Sequence, residues 1–198
     1  MKTIDSLDAL DALFDKATPR SIQKVARAMT PHYRRWIGAA RFCILTTVGP
    51  EGTDASPRGD DGPVVRIADD HTLWLPDWRG NNRLDSLRNI IRDPRASLLF
   101  MVTGSDTVVR VNGTAVLTDD PAVTGAFERD ERQPKLVIVL RIGEMYFQCA
   151  KALMRSNLWT ATPPDLPTPG MFLQEMDERF DADGYDRGYA EYARSRMW

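Results

Sequence analysis

The spacing of apolar positions changes character at Phe42. Before it the pattern is helical. Ser6 stands ahead of LDALDALFDK, and Thr18-Pro19 and Thr30-Pro31 each pair a capping hydroxyl with a proline suited to the first helical position. In the helix begun at Pro19, Ile22, Val25, Ala26 and Met29 share one face. From Phe42 onward short strands dominate. FCILTTV is an apolar run ended by the turn Gly49-Pro50-Glu51-Gly52. ASPRG reads as extended, and VVRIADD with HTLWLPD reads as a hairpin turning near Asp69, Asp70 and His71. NNRLDSLRNIIRD predicts a helix on the stripe Leu84, Leu87, Ile91, stopped by Asp93-Pro94. RASLLFMV is a strand. TVVRVNGTAVLTD is a long alternating strand or bent pair, with a turn or bulge at Asn112-Gly113. A short helix starts at Asp120-Pro121, KLVIVLRIGEMYFQCA is a long strand, and AKALMRSNLW opens a helix or turn. TPPDLPTPG is an extended connector, and the remainder predicts one or two amphipathic helices.

Many punctuated strands with one sizeable interior helix argue for a β-barrel rather than a parallel sheet. The predicted class is mainly β, a barrel with flanking α-helices. N-terminal helices would occupy 1–41, the barrel 42–160, and a connector with a helical arm 161–198, all in one domain. FCILTTV, SLLFMV and KLVIVL are continuously apolar, as in strands buried on both faces. One face would fill the barrel and the other would meet a second copy, so a homodimer is expected.

Composition narrows the partners. With 198 residues, 42% hydrophobic and 27% charged, the chain suits one soluble domain. No apolar run approaches the roughly 20 residues that span a bilayer, so no membrane role is expected. The acidic amphipathic start resembles neither a secretory nor a transit signal, which predicts a cytoplasmic protein. Two cysteines and two histidines give no metal-ligand spacing. A net charge of −2 gives no general attraction to nucleic acid.

Three stretches carry candidate chemistry. In LWLPDWRGNNRLDSLRNI a strand leads through a glycine loop into a helix, with Arg79, Asn81, Asn82 and Arg83 at the helix start. Unpaired N–H groups and arginines there suit a phosphate; the same residues also suit a capped helix with solvated arginines. In TDASPRGDDG, Ser56 and Arg58 can hydrogen-bond a ligand and Gly59 permits close approach, although the string is equally a plain turn. In CAKALMRSNLW, Lys151 and Arg155 share a helical face beside Ser156, fitting an anion or a solvated helix end. Trp159 suits either a ring ligand or the core. Tyr33, His32, Cys43 and Asp77 are possible acids or bases. There is no G-x-S-x-G and no G-x-G-x-x-G.

The order strand, SPRGD, strand, DWRGNNR-LDSLRNI, DPRASLLF, VVRVNGTAVLTDD resembles the flavin-binding proteins related to pyridoxamine 5′-phosphate oxidase, over Tyr33 to Trp159. VRVNGTA resembles their strand of the form V-R-V-x-G-x-A, and Asp119-Asp120 fits a bacterial subgroup. The resemblance implies an antiparallel Greek-key split barrel that binds FMN between two subunits. It implies that Ser56, Arg58 and Gly59 line the ring or ribityl chain, and Asp77 is counted among the cofactor-binding residues. Arg79, Asn81, Asn82 and Arg83 would hold the 5′-phosphate, and Arg110 and Asn112 would reach in from the second subunit. Lys151, Arg155, Ser156 and Trp159 match a late motif near the cofactor. The chain departs from the oxidase proper: Asn81-Asn82-Arg83 replaces Ser-Arg-Lys, and the R-L-x-P ending and Arg-x-His motif are missing. An FMN-dependent oxidoreductase with a substrate other than vitamin B6 is therefore expected. The alternatives are a carrier, sensor or redox buffer, or the same barrel holding a deazaflavin or haem.

Overall fold

The computed structural model describes residues 1–198. Its centre is one seven-stranded antiparallel sheet. The strands are β1 (Phe42–Gly49), β2 (Gly52–Gly59), β3 (Arg66–Asp69), β4 (Thr72–Pro76), β5 (Arg95–Met101), β6 (Val108–Thr118) and β7 (Val137–Gln148). They lie in the order β2-β1-β5-β6-β7-β4-β3. The hairpins β1–β2 and β3–β4 thus flank a central meander of β5, β6 and β7, which makes a split barrel.

Alternation sets the inside. Cys43, Leu45 and Thr47 of β1 oppose Phe100, Leu98 and Ala96 of β5, and all six are buried. Their row continues through Val109 and Val111 of β6. Long β6 and β7 bend at a bulge between Asn112 and Gly113, where Asn112 faces Glu144 but Gly113 faces Ile142. A Cβ on Gly113 would stand 1.9 Å from the Arg141 carbonyl oxygen, so only glycine lets the two backbones close here.

The helices are α1 (Leu7–Asp11), α2 (Pro19–Gln23), α3 (Pro31–Gly38), α4 (Asp85–Arg92), α5 (Pro121–Thr124), α6 (Lys151–Ser156), α7 (Pro169–Met176) and α8 (Ala182–Arg194). The helix begun at Pro19 is shorter than its spacing predicts. It stops at Gln23, Ile22 is exposed, and Ala26 instead exchanges backbone hydrogen bonds with Met145 at 2.9 and 2.7 Å. A ladder contact with β7 outweighs local helical propensity there. The stripe on α4 is also corrected. Ser86, Leu87, Asn89 and Ile90 are buried, while Leu84 and Ile91 are 43% and 76% exposed. Asn89 is held inside by Thr47, to whose hydroxyl its amide donates at 3.2 Å.

The arm beyond the connector forms two helices. Asp186 of α8 accepts from the Thr168 hydroxyl and, at 2.9 Å, from the Gly170 amide, tying α8 to the start of α7. No helix is long and apolar enough to cross a membrane.

Candidate functional site

β3 pairs only with Thr72–Trp74, so the end of β4 and the residues after it have no strand on that side. There they meet the inner face of β2. Asp54, Ser56 and Arg58 alternate onto this face, opposite Thr47, Leu45 and Cys43. Three side-chain contacts join β2 and Asp60 beyond it to the stretch 77–86. Arg58 donates to Asp77 Oδ1 at 2.5 Å, Trp78 Nε1 donates to Asp60 Oδ2 at 3.0 Å, and the Ser86 hydroxyl donates to Asp54 at 2.5 Å. Ser56 lies between these contacts with its side chain on the same face. The structure thus brings Ser56, Arg58 and Asp77 to one wall, with Gly59 next to Arg58 and the exposed loop Arg79–Arg83 strung between Trp78 and Ser86.

Arg58 is the pivot. Its side chain is 17% exposed and pairs with Asp77, itself 19% exposed. Yet its Nε is buried with no hydrogen-bond partner, the one such side-chain nitrogen or oxygen in the molecule. An unmet buried donor costs about 1–3 kcal/mol unless an acceptor arrives. Opposite Arg58, burial pushes the Cys43 thiol up to about 12, with Arg58 pulling weakly the other way. A thiol held neutral this way is a poor nucleophile or base at neutral pH, which removes Cys43 from the acid–base candidates.

The loop differs from its sequence reading. α4 begins only at Asp85, and neither Asn81 nor Asn82 caps it. Asn81 Oδ1 instead accepts from the Arg83 amide at 3.1 Å. Asn82 and Leu84 are left-handed, at φ 61° and 63°. Asparagine tolerates this; for leucine it costs on the order of 1–2 kcal/mol. Arg79, Asn81, Asn82 and Arg83 are all exposed. Arg83 bonds Asp85 at 2.8 Å, which raises its affinity for the proton. Arg79 takes part in no ion pair.

The other predicted residues lie elsewhere in a single chain. Arg110 is in register with Leu99, Ile44 and Pro57, on the sheet face opposite Arg58. It reaches the Tyr146 hydroxyl at 3.3 Å, and Asn112 donates to Glu144 at 2.9 Å. Lys151 and Arg155 are exposed on α6, and the Ser156 hydroxyl is taken by the Leu153 carbonyl at 3.0 Å. Trp159 donates to the Ser105 carbonyl at 3.0 Å and lines a separate cleft of about 180 Å³. Among the acid–base candidates, Tyr33 bridges the Lys24 carbonyl and the Phe147 amide, and His32 is exposed.

Sequence reasoning missed Asp60, Trp78, Arg129 and Trp198. Asp60 is 7% exposed in its side chain and accepts from both Trp78 and Arg129. Arg129 also bonds Asp61, which holds that carboxyl below its usual range. The Arg129 guanidinium lies 4.2 Å from the Trp198 ring centroid, and Trp198 meets Trp78 edge-on at 5.3 Å.

Such a barrel, split and antiparallel with a long central meander, defines a class of fold. The sequence agrees: the profile of the pyridoxamine 5′-phosphate oxidase family matches residues 29–149, and the chain belongs to that family. No curated protein matches it significantly in sequence. Among solved structures it is similar to HupZ of Group A Streptococcus, at TM-score 0.50 and 17% identity over 60% of this chain and 93% of that one. General stress protein 26 of Bacillus anthracis gives TM-score 0.42 at 16% identity, over 56% and 86% of the two chains. An FMN-binding protein of Syntrophomonas wolfei gives 0.42 at 13%, over 58% and 86%. At such identities the likeness to HupZ is one of fold.

Proposed function

We propose that this protein binds FMN on the wall formed by β2 and the 77–84 loop, and acts as an FMN-dependent oxidoreductase on a small molecule. The carrying observation is the orphaned Arg58 Nε. It is a buried, fixed donor on a wall whose other buried side-chain polar atoms are paired, and a flavin carbonyl or ribityl hydroxyl is an acceptor of the right kind. Family membership supports the reading.

The chain's residues divide the work. Asp77 orients Arg58 so that one face of the guanidinium is committed and Nε stays available. Ser56 offers a hydroxyl beside it, and Gly59 leaves the strand end open. The unpaired Arg79 and the loop amides around left-handed Asn82 suit the phosphate, joined by Asn81 and Arg83. Arg110 and Asn112 face away from Arg58, so they serve a flavin only if a second chain presents them; Lys151, Arg155, Ser156 and Trp159 belong to the same share. Bound flavin supplies hydride or electron transfer; the protein supplies binding, orientation and exclusion of water.

The test is the absorption spectrum of the purified protein, followed by titration with FMN and riboflavin. A flavin spectrum and FMN binding about tenfold or more tighter than riboflavin are expected. Equal affinities would remove the phosphate role of the loop, and a deazaflavin or haem spectrum would replace the cofactor.

A further inference from the structure

Beside the wall just described lies a slot whose two sides are fixed by one buried carboxylate. Asp60 sits two residues beyond Arg58. It accepts from the Trp78 indole at 3.0 Å and from Arg129 at 3.0 Å, and its side chain is 7% exposed. Arg129 is locked further by Asp61. Trp78 directly follows Asp77, the partner of Arg58. An indole edge-on at one side and a flat guanidinium at the other, both immobilised, make a receptor for a planar π-system. In this structure the Trp198 ring fills it, 5.3 Å from Trp78 and 4.2 Å from Arg129.

The position matters as much as the shape. Along one line run Asp54 with Ser86, then Ser56, then Arg58 with Asp77, then Asp60 with Trp78. The loop residues suited to phosphate run between these two ends, from Arg79 next to Trp78 to Arg83 near Ser86. The slot lies directly past Arg58 and Asp77, so a ligand held by Arg58 would border it. Arg129 is balanced by Asp60 and Asp61, which favours an uncharged ring over an anion.

We propose that the Trp78–Arg129 slot is the second-ligand site of this protein, that it takes an uncharged planar aromatic ring of about bicyclic size, and that Trp198 is the ring that vacates it. This rests on the FMN reading for its role beside a flavin, but not for the slot itself. Trp198 would then act as a built-in competitor: any incoming ring must displace it.

The full-length protein labelled with 5-fluorotryptophan tests this, the Trp198 signal being assigned by its loss in Trp198→Phe. Indole is the probe, and cyclohexanol is the non-aromatic control. Saturating indole is expected to move the Trp198 resonance to the position of solvent-exposed tryptophan, while cyclohexanol leaves it in place. Trp198→Ala should bind indole about tenfold more tightly than the unaltered protein, and Trp198→Ala/Arg129→Gln should lose the gain. A Trp198 resonance that indole fails to move, or that cyclohexanol moves equally, overturns the proposal even if Trp198→Ala folds poorly. Displacement of Trp198 by FMN alone also overturns it, because the slot would then be part of the flavin's own site. Failure of FMN to bind at all, with indole still displacing Trp198, would instead sink the FMN reading and leave the slot standing.

Discussion

At the scale of single residues, Arg58 and Cys43 form a cross-strand pair with opposite demands. Arg58 carries a buried donor that awaits an acceptor. Arg58→Met keeps the stem and removes the charge, so FMN affinity should fall by about ten- to a hundredfold, or 1.5–3 kcal/mol, in an FMN titration. Affinity unchanged from the parent would move the ring site off β2. Cys43 gives a pH signature. Folding holds its pKa up at about 12 against an ordinary value of 9.0. The unfolded chain ionises first as pH rises, so this residue's contribution to stability is whole below the ordinary value and drains away above it. Between about pH 8 and pH 10 the melting temperature should fall faster in the parent than in Cys43→Ala, and iodoacetamide should label exposed Cys149 alone in the native protein. Sequence could propose Ser56, Arg58 and the 79–83 cluster as site residues because each is a local pattern. It did not show Asp60 with Arg129, which are 69 positions apart and meet only through the fold.

At the scale of elements, period and punctuation made most strands readable. FCILTTV, RASLLFMV and the long β6 and β7 fall where alternation or continuous apolarity puts them. The misreadings have two causes, a tertiary contact in one case and local backbone conformation in the other. Residues after Gln23 extend because Met145 offers a ladder partner, and Leu84 leaves α4 because the preceding loop turns left-handed. The bulge in β6 is where local chemistry and topology agree. Gly113→Ala would drive a methyl into the Arg141 carbonyl, and neither backbone can move without breaking the β6–β7 ladder. A loss of about 2–4 kcal/mol in denaturant unfolding is expected. An alanine variant as stable as the parent would mean that the strands separate there more easily than their register suggests.

For the whole molecule, the outer face of the central meander is unusual. It sets Arg110, Asn112, Glu144 and Tyr146 beside Ile44 and Leu99, with Val116 60% exposed. Such a mixed face, partly apolar and exposed, is the surface expected to be covered by a second copy. Light scattering should give twice the 22.3 kDa chain mass, and a monomer that keeps its flavin would refute the shared site. The Asp60–Asp61–Arg129 group adds an acid limit. Arg129 lowers the Asp61 pKa, so their contact is complete above the ordinary aspartate value and fails only as pH drops through the depressed one. The Trp198 fluorine signal should stay constant from neutral pH down to about 4 and change only below that.

The barrel wall between β2 and the end of β4 is closed by side chains where every other junction has a backbone ladder. Mechanically it is a zip fastened at three teeth, and it is the line along which thermal opening should begin. A cofactor lying there would act as a suture. Its occupancy should then be readable in hydrogen exchange as slower opening of 54–60 and 77–84, with the β6–β7 amides unaffected, and in a melting temperature that climbs with the logarithm of free FMN.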